Sequence, residues 1–285
     1  MAQRGTAPWG IKMFYISTYL PRLNKTAKLK EFTNKHYFNL AKFYYNKDSK
    51  GISDFFDSTI QELIINKELY CELTCIEKFC IWMNLFYNCM HDDLSVFCKS
   101  LNDSVNIKIP TLLSNIQSLN SVEEKEIRVN DITITLNAPR SLYIDSTDNI
   151  FNNIVYSIKA DGKNYYFENF TQEEKVLFFE SLPVELFDIF IDYYKSLEGY
   201  SVDIMPSSDN TSFDPIDISI TNGSMFAFLK SLFQTELKSH YNNALIFTKQ
   251  FEGNYETYFN ITMKDFLALY TVYQSNAKNE KNSLN

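Results

Sequence analysis

Hydrophobic positions along the chain fall into two spacings, and the switches between them divide it. From residue 33 to 98 they recur every three or four residues. Tyr37, Leu40, Ala41, Tyr44 and Tyr45 predict a helix over 33–45, and Phe56, Ile60, Leu63 and Ile64 predict one over 54–69. The strongest run is Ile76, Phe79, Cys80, Met83, Phe86, Tyr87, Met90, Leu94 and Phe97. It predicts a long helix over 74–98, buried along one stripe, with Phe79 and Phe86 in the core. Thr74 and Glu77 form a capping box at its start.

From Glu126 the period drops to two. Ile127 and Val129, then Ile132, Ile134 and Leu136, alternate with polar residues on either side of Asn130-Asp131. After a polar loop, Ile154, Tyr156 and Ile158 alternate again, and Asp161-Gly162 precedes Tyr165 to Phe167. Asp-Gly between alternating runs is a strong hairpin signal, because both turn residues need positive φ. A small antiparallel sheet is expected in 126–168.

Helical spacing then resumes. Thr171 and Glu174 form a second capping box, and Pro183 suits the first position of a helix. Leu186, Ile189, Phe190, Tyr193, Tyr194 and Leu197 line one face, and Gly199 is placed to end that helix in the left-handed conformation. Segment 201–217 reads as loop, with a brief strand at Ile216, Ile218 and Ile220. Asn222-Gly223-Ser224 caps a helix running to about Tyr241. A last short helix starts at Thr262, with Asp265 at its third position.

The fold class that follows is α+β, mainly helical, with a small antiparallel sheet inserted between N-terminal and C-terminal helical parts. Its divisions are a flexible stub at 1–12, where Met13 is an alternative start, and a helical part at 13–125. The sheet region at 126–168, a second helical part at 169–274 and a disordered polar tail at 275–285 complete it. No internal repeat is visible.

Composition narrows the function. The 285 residues are 45% hydrophobic, enough for a substantial core. The net charge of −8 disfavours a general nucleic-acid binder. Seven glycines stand at 5, 10, 51, 162, 199, 223 and 253, too sparse for a phosphate loop, a dinucleotide turn or a nucleophile elbow. Cys71, Cys75, Cys80, Cys89 and Cys98 are odd in number and lie within 28 residues, so they read as buried free thiols in a reducing cytoplasm. The alternative, a metal site at Cys71, Cys75 and His91, matches no zinc spacing. The start lacks the apolar stretch of a signal peptide, and no run is long enough to span a membrane.

No catalytic constellation emerges. His36, His91 and His240 are scattered, and His91-Asp92-Asp93 reads as a solvated face. Glu123-Glu124 reads as a charged loop, while Glu173-Glu174 complements a helix dipole. Aromatic residues make up 16% of the chain. Tyr44-Tyr45, Tyr165-Tyr166, Tyr255 and Tyr258-Phe259 lie outside the stripes that one domain would bury, and Tyr165, Tyr166, Tyr258 and Phe259 are the candidate partner-binding residues. The competing reading is that tyrosines half-expose cheaply and AT-rich coding supplies them. Base stacking is a third, poorly served by Lys163 alone in that region.

The order of segments carries more than any one of them. FYISTYLPRL (Phe14 to Leu23) comes first, followed by Phe32-Thr33-Asn34 to Phe38 and Leu40-Ala41-Lys42-Phe43. LTCIEKFCIWMNL (Leu73 to Leu85), IRVNDITITLNAP (Ile127 to Pro139), FTQEEKVLFFESLPVELFDIF (Phe170 to Phe190) and TNGSMFAFLKSLF (Thr221 to Phe233) come later. The series resembles the baseplate hub assembly proteins of T-even-type bacteriophages over roughly Met13 to Tyr273. It departs from them at Asn137-Ala138-Pro139, where Leu is expected before Pro, and the residues before Met13 have no counterpart.

The resemblance implies a non-enzymatic baseplate hub assembly factor or structural subunit with no catalytic, cofactor or metal residue. It implies other phage hub and tail proteins as partners. It also implies a location in the host bacterial cytoplasm during assembly, or in the tail baseplate. The alternatives are a phage replication accessory binding single-stranded DNA and an enzyme with an unrecognised site.

Overall fold

A computed structural model describes residues 4–6, 12–98, 103–116, 119, 121–144, 148–204, 216–221, 223–251 and 253–283. Strand β1 (Arg4–Thr6) pairs antiparallel with β2 (Lys12–Phe14), so the expected flexible stub contributes a strand to the segment that follows. The part expected to be helical, 13–125, also holds two hairpins. The first joins β3 (Ile16–Leu20) to β4 (Lys25–Leu29). The second joins β5 (Asp93–Cys98) to β6 (Asp103–Lys108) and leads into helix α4 (Ile109–Ile116).

Between the hairpins lie α1 (Asn34–Tyr45), α2 (Ser49–Leu63), a 3-10 segment (Lys67–Glu72) and α3 (Cys75–Cys89). Helix α2 starts earlier than expected because the Asp48 carboxylate accepts the Gly51 amide at 2.8 Å. It also ends earlier. Ile64 turns extended, bridges to Leu29, and Ile65 N–H donates to the Lys28 carbonyl at 2.7 Å. The β-branched pair at 64–65 thus extends the edge of the first hairpin instead of adding a helical turn.

Helix α3 stops at Cys89 rather than continuing to residue 98, and Leu94 and Phe97 belong to β5. Their spacing of three matches helical periodicity and not the two-residue period of a strand, and the polar His91-Asp92-Asp93 stretch marks the break. Nor is α3 buried along a single stripe. Twelve of its fifteen residues are buried, including Glu77 and Lys78, and the other three, Asn84, Tyr87 and Asn88, share one narrow face.

The sheet is where the alternation placed it. Strands β7 (Lys125–Val129), β8 (Ile132–Leu136), β9 (Val155–Ala160) and β10 (Lys163–Tyr166) form an antiparallel sheet in the order β10-β9-β8-β7. Its hairpin turns carry positive φ at Asn130 (53°), and at Asp161 (51°) and Gly162 (75°). Ile127, Ile134 and Ile158 stand opposite one another across three strands and face the core. The loop between β8 and β9 contains a short helix, α5 (Asp148–Ile154).

Next come α6 (Gln172–Glu180), capped by Thr171 and Glu174, and α7 (Glu185–Ser196). Pro183 sits two residues ahead of α7 rather than at its first position. Gly199 is not left-handed; α7 tightens into a 3-10 turn at Leu197–Gly199 instead. The segment read as loop contains β11 (Ser201–Ile204), paired with β12 (Ile216–Ser219), while 205–215 lies outside the described residues.

The helix expected from Ser224 to Tyr241 is two helices, α8 (Ser224–Leu232) and α9 (Leu237–Gln250). Its break buries Phe233, whose ring lies 5.1–5.8 Å from those of Phe32, Phe56, Trp82 and Phe86. Tertiary aromatic packing at that point wins over helical continuity. Helix α10 (Tyr255–Asn260) precedes α11 (Met263–Ser283). The Asp265 amide donates to the Thr262 hydroxyl at 3.1 Å, as the cap expects. The last helix is 21 residues long and covers most of the stretch expected to be a disordered tail.

The result is α+β and mainly helical, with small antiparallel sheets. One hydrophobic core runs from Ile16 to Phe266, with Trp82 of α3 among its largest fully buried side chains.

Candidate functional site

Polar chemistry inside the fold gathers around one end of α3. The guanidinium of Arg22, in the β3–β4 turn, donates to both oxygens of Glu77 at 2.7 and 3.0 Å, and to Asn137 Oδ1 at 3.2 Å. Asn137 Nδ2 donates in turn to Glu124 at 2.6 Å. Glu77 also accepts the Thr74 amide at 2.8 Å and its hydroxyl at 2.6 Å, so the capping residue of α3 doubles as the anchor of a buried ion pair. Burial opposes the charge of Arg22, but the Glu77 hydrogen bonds and charge outweigh it and raise its pKa. These contacts tie the first hairpin, α3 and the end of β8 together. They also give Asn137 a defined polar role.

Two further buried cations also have partners inside the fold. Lys78 donates to Asp57 at 2.7 Å. Arg140 donates to the carbonyls of Cys71 and Tyr156, both at 2.8 Å, and lies over the Tyr156 ring, although its Nε has no partner. Each cation therefore has fixed partners within the fold, which is the pattern of structural pairing rather than of an open reactive group.

The residues that could carry catalysis or bind a metal do not converge. Among the described residues no group of three His, Cys, Asp or Glu is placed to hold a metal ion. Cys75, Cys80 and Cys89 are buried, and burial pushes the Cys75 and Cys89 thiols up to about 12. His36 sits at the start of α1, where Nδ1 accepts the Thr33 amide at 3.1 Å. His91 lies just past α3. His240 is buried in α9 beside Thr235, and burial lowers it to about 4. Glu123 is exposed, and Glu173 and Glu174 lie in the first turn of α6.

The aromatic candidates separate. Tyr258 is fully buried against Phe247, Phe259 and Phe266, so it is a core residue and not a docking one. Phe259 is half-buried against Phe38 at 5.1 Å. Tyr166 is half-buried, edge-on to Tyr156 at 5.7 Å, while Tyr165 on the edge strand β10 is exposed. Tyr44 spends its hydroxyl on the Lys230 carbonyl, leaving Tyr45 exposed. Tyr44, Tyr45 and Tyr241 line an open groove of about 580 Å³ with residues 234–238.

Tyr45, Tyr165 and Tyr255 are exposed, and so are aliphatic side chains outside the candidate set: Val176 and Leu177 on α6, Val184 and Ile191 at α7, Leu245 on α9, and Leu267, Leu269 and Val272 on α11. The signal that could have found the first pair is the Val-Leu-Phe-Phe run of α6. Four adjacent apolar residues cannot all face one side of a helix.

Fold and surface together define a mainly helical α+β protein with a few buried charges held by fixed partners and aliphatic side chains presented on helices. The model of the T4 bacteriophage base plate protein family matches residues 13–220, and the chain belongs to that family. Membership gives it a structural or assembly role in the phage tail baseplate, among other baseplate proteins. The match covers β3 to β12 and stops before α8. No curated protein and no solved structure matches significantly. Among the described residues no helix is long and apolar enough to cross a membrane.

Proposed function

We propose that this protein is a non-enzymatic assembly factor or structural subunit of the baseplate hub. It acts through contacts with hub and tail proteins, first in the host cytoplasm. The observation that carries this reading is the contrast between interior and surface. Inside, Arg22 is locked to Glu77 and Lys78 to Asp57, while outside, aliphatic side chains on α6, α7, α9 and α11 are exposed. Nucleic acid is not among the proposed partners, because a net charge of −8 opposes a phosphate backbone.

The test is infection with a phage lacking this gene, scored by electron microscopy of tail structures. Hubs and complete baseplates are expected to be missing and to return when the chain is supplied in trans. Normal hub formation without it would overturn the reading. So would turnover of a substrate by the pure protein that is lost on changing a single polar side chain.

A further inference from the structure

Helix α6 spends its apolar residues in an unusual way. None of its nine residues is buried, although Val176, Leu177, Phe178 and Phe179 are all apolar. Phe178 and Phe179 lean on Phe167 and the rings around Phe151, and Lys175 lies over Phe167, so this side of the helix faces the protein. Helical geometry then puts Glu173, Val176, Leu177 and Glu180 on the opposite side. Leu177 is 65% exposed, and Val184, in the turn into α7, is 79% exposed. One α7 face continues the pattern with Val184, Asp188 and Ile191, at spacings of four and three.

The exposed charges along these two helices are mostly of one sign. Residues 172–198 contain Glu173, Glu174, Glu180, Glu185, Asp188, Asp192 and Glu198, all exposed, against Lys175 and Lys195. Lys175 is drawn toward Phe167. An apolar strip inside an acidic rim selects a partner with the reverse pattern. A two-fold dimer through this face would oppose acid to acid.

We propose that the outer face of α6 and the start of α7 form the docking site for a basic amphipathic helix of another baseplate protein. The partner's apolar residues at i, i+3 and i+4 cover Val176, Leu177 and Val184, and its Lys and Arg meet the rim. This rests on the reading that the chain works by binding baseplate proteins, and it names the surface and the partner's chemistry.

The test uses the full chain and purified hub and tail proteins of the same phage, with binding followed by interferometry over a salt series. Leu177→Asp and, separately, Val184→Asp should each weaken binding about tenfold or more with unchanged melting, since both side chains are exposed. The pair Glu173→Lys with Glu180→Lys should slow association and flatten its salt dependence. Hydrogen exchange should show protection on a Lys/Arg-rich helix of the bound protein. Binding that ignores all these variants overturns this site and leaves the hub role standing, whereas binding to none of the baseplate proteins overturns the hub role itself. The chain's own basic stretch, residues 22–50 with eight Lys and Arg against two acids, offers a rival occupant. Leu177-dependent self-association in sedimentation of the pure protein would therefore also overturn the proposal.

Discussion

At the residue scale the decisive group is Glu77. Its place three residues after Thr74 is a capping signal that any reader of the sequence would assign, and the structure makes that bond. The same carboxylate also neutralises Arg22, 55 positions away in the chain. Removing its charge leaves the buried guanidinium with the more distant Glu124, at 3.6 Å, as its acidic partner among the described residues. Glu77→Gln is expected to cost about 3–5 kcal/mol in urea unfolding, well beyond the cost of a lost cap. Replacing Arg22 and Glu77 together by leucine should recover most of that loss. A cost below about 1 kcal/mol for Glu77→Gln would mean the pair is hydrated rather than clamped.

At the element scale, boundaries depend on contacts that the local pattern does not contain. Gly199 and Gly162 illustrate this. Sequence position suggests positive φ at both, but only Gly162 has it, because a two-residue hairpin turn demands it. Gly162→Ala should destabilise by about 1 kcal/mol. Gly199→Ala meets no atom within 4 Å and no left-handed backbone, so it should be neutral or stabilise by about 0.4–1 kcal/mol. Thermal melts of the two variants, moving in opposite directions or with only the first moving, check the assignment. The break between α8 and α9 follows the same logic, since Phe233 does more for the aromatic core than for either helix.

At the scale of the whole molecule, the divisions drawn along the chain share one interior. Phe79 in α3 touches the ring of Phe228 in α8, 149 positions on, and the sheet isoleucines belong to the same core. Phe79→Ala is expected to cost about 3–5 kcal/mol. It should shift a single unfolding transition by circular dichroism and by tryptophan fluorescence alike. Two separated transitions would show that the N- and C-terminal helical parts unfold independently.

The sequence by itself determined the class of fold, the sheet at 126–168, the capping boxes at Thr74 and Thr171, and the resemblance to phage baseplate proteins. Each of these is written in spacings of two to four residues, or in segment order, and survives without knowledge of distant neighbours. Tertiary structure alone decided which cation meets Glu77, that Phe233 separates α8 from α9, and that Tyr258 is core. Those outcomes depend on which faces meet across long stretches of chain. An aromatic or aliphatic side chain is equally at home in a core or at an interface until its neighbours are in place.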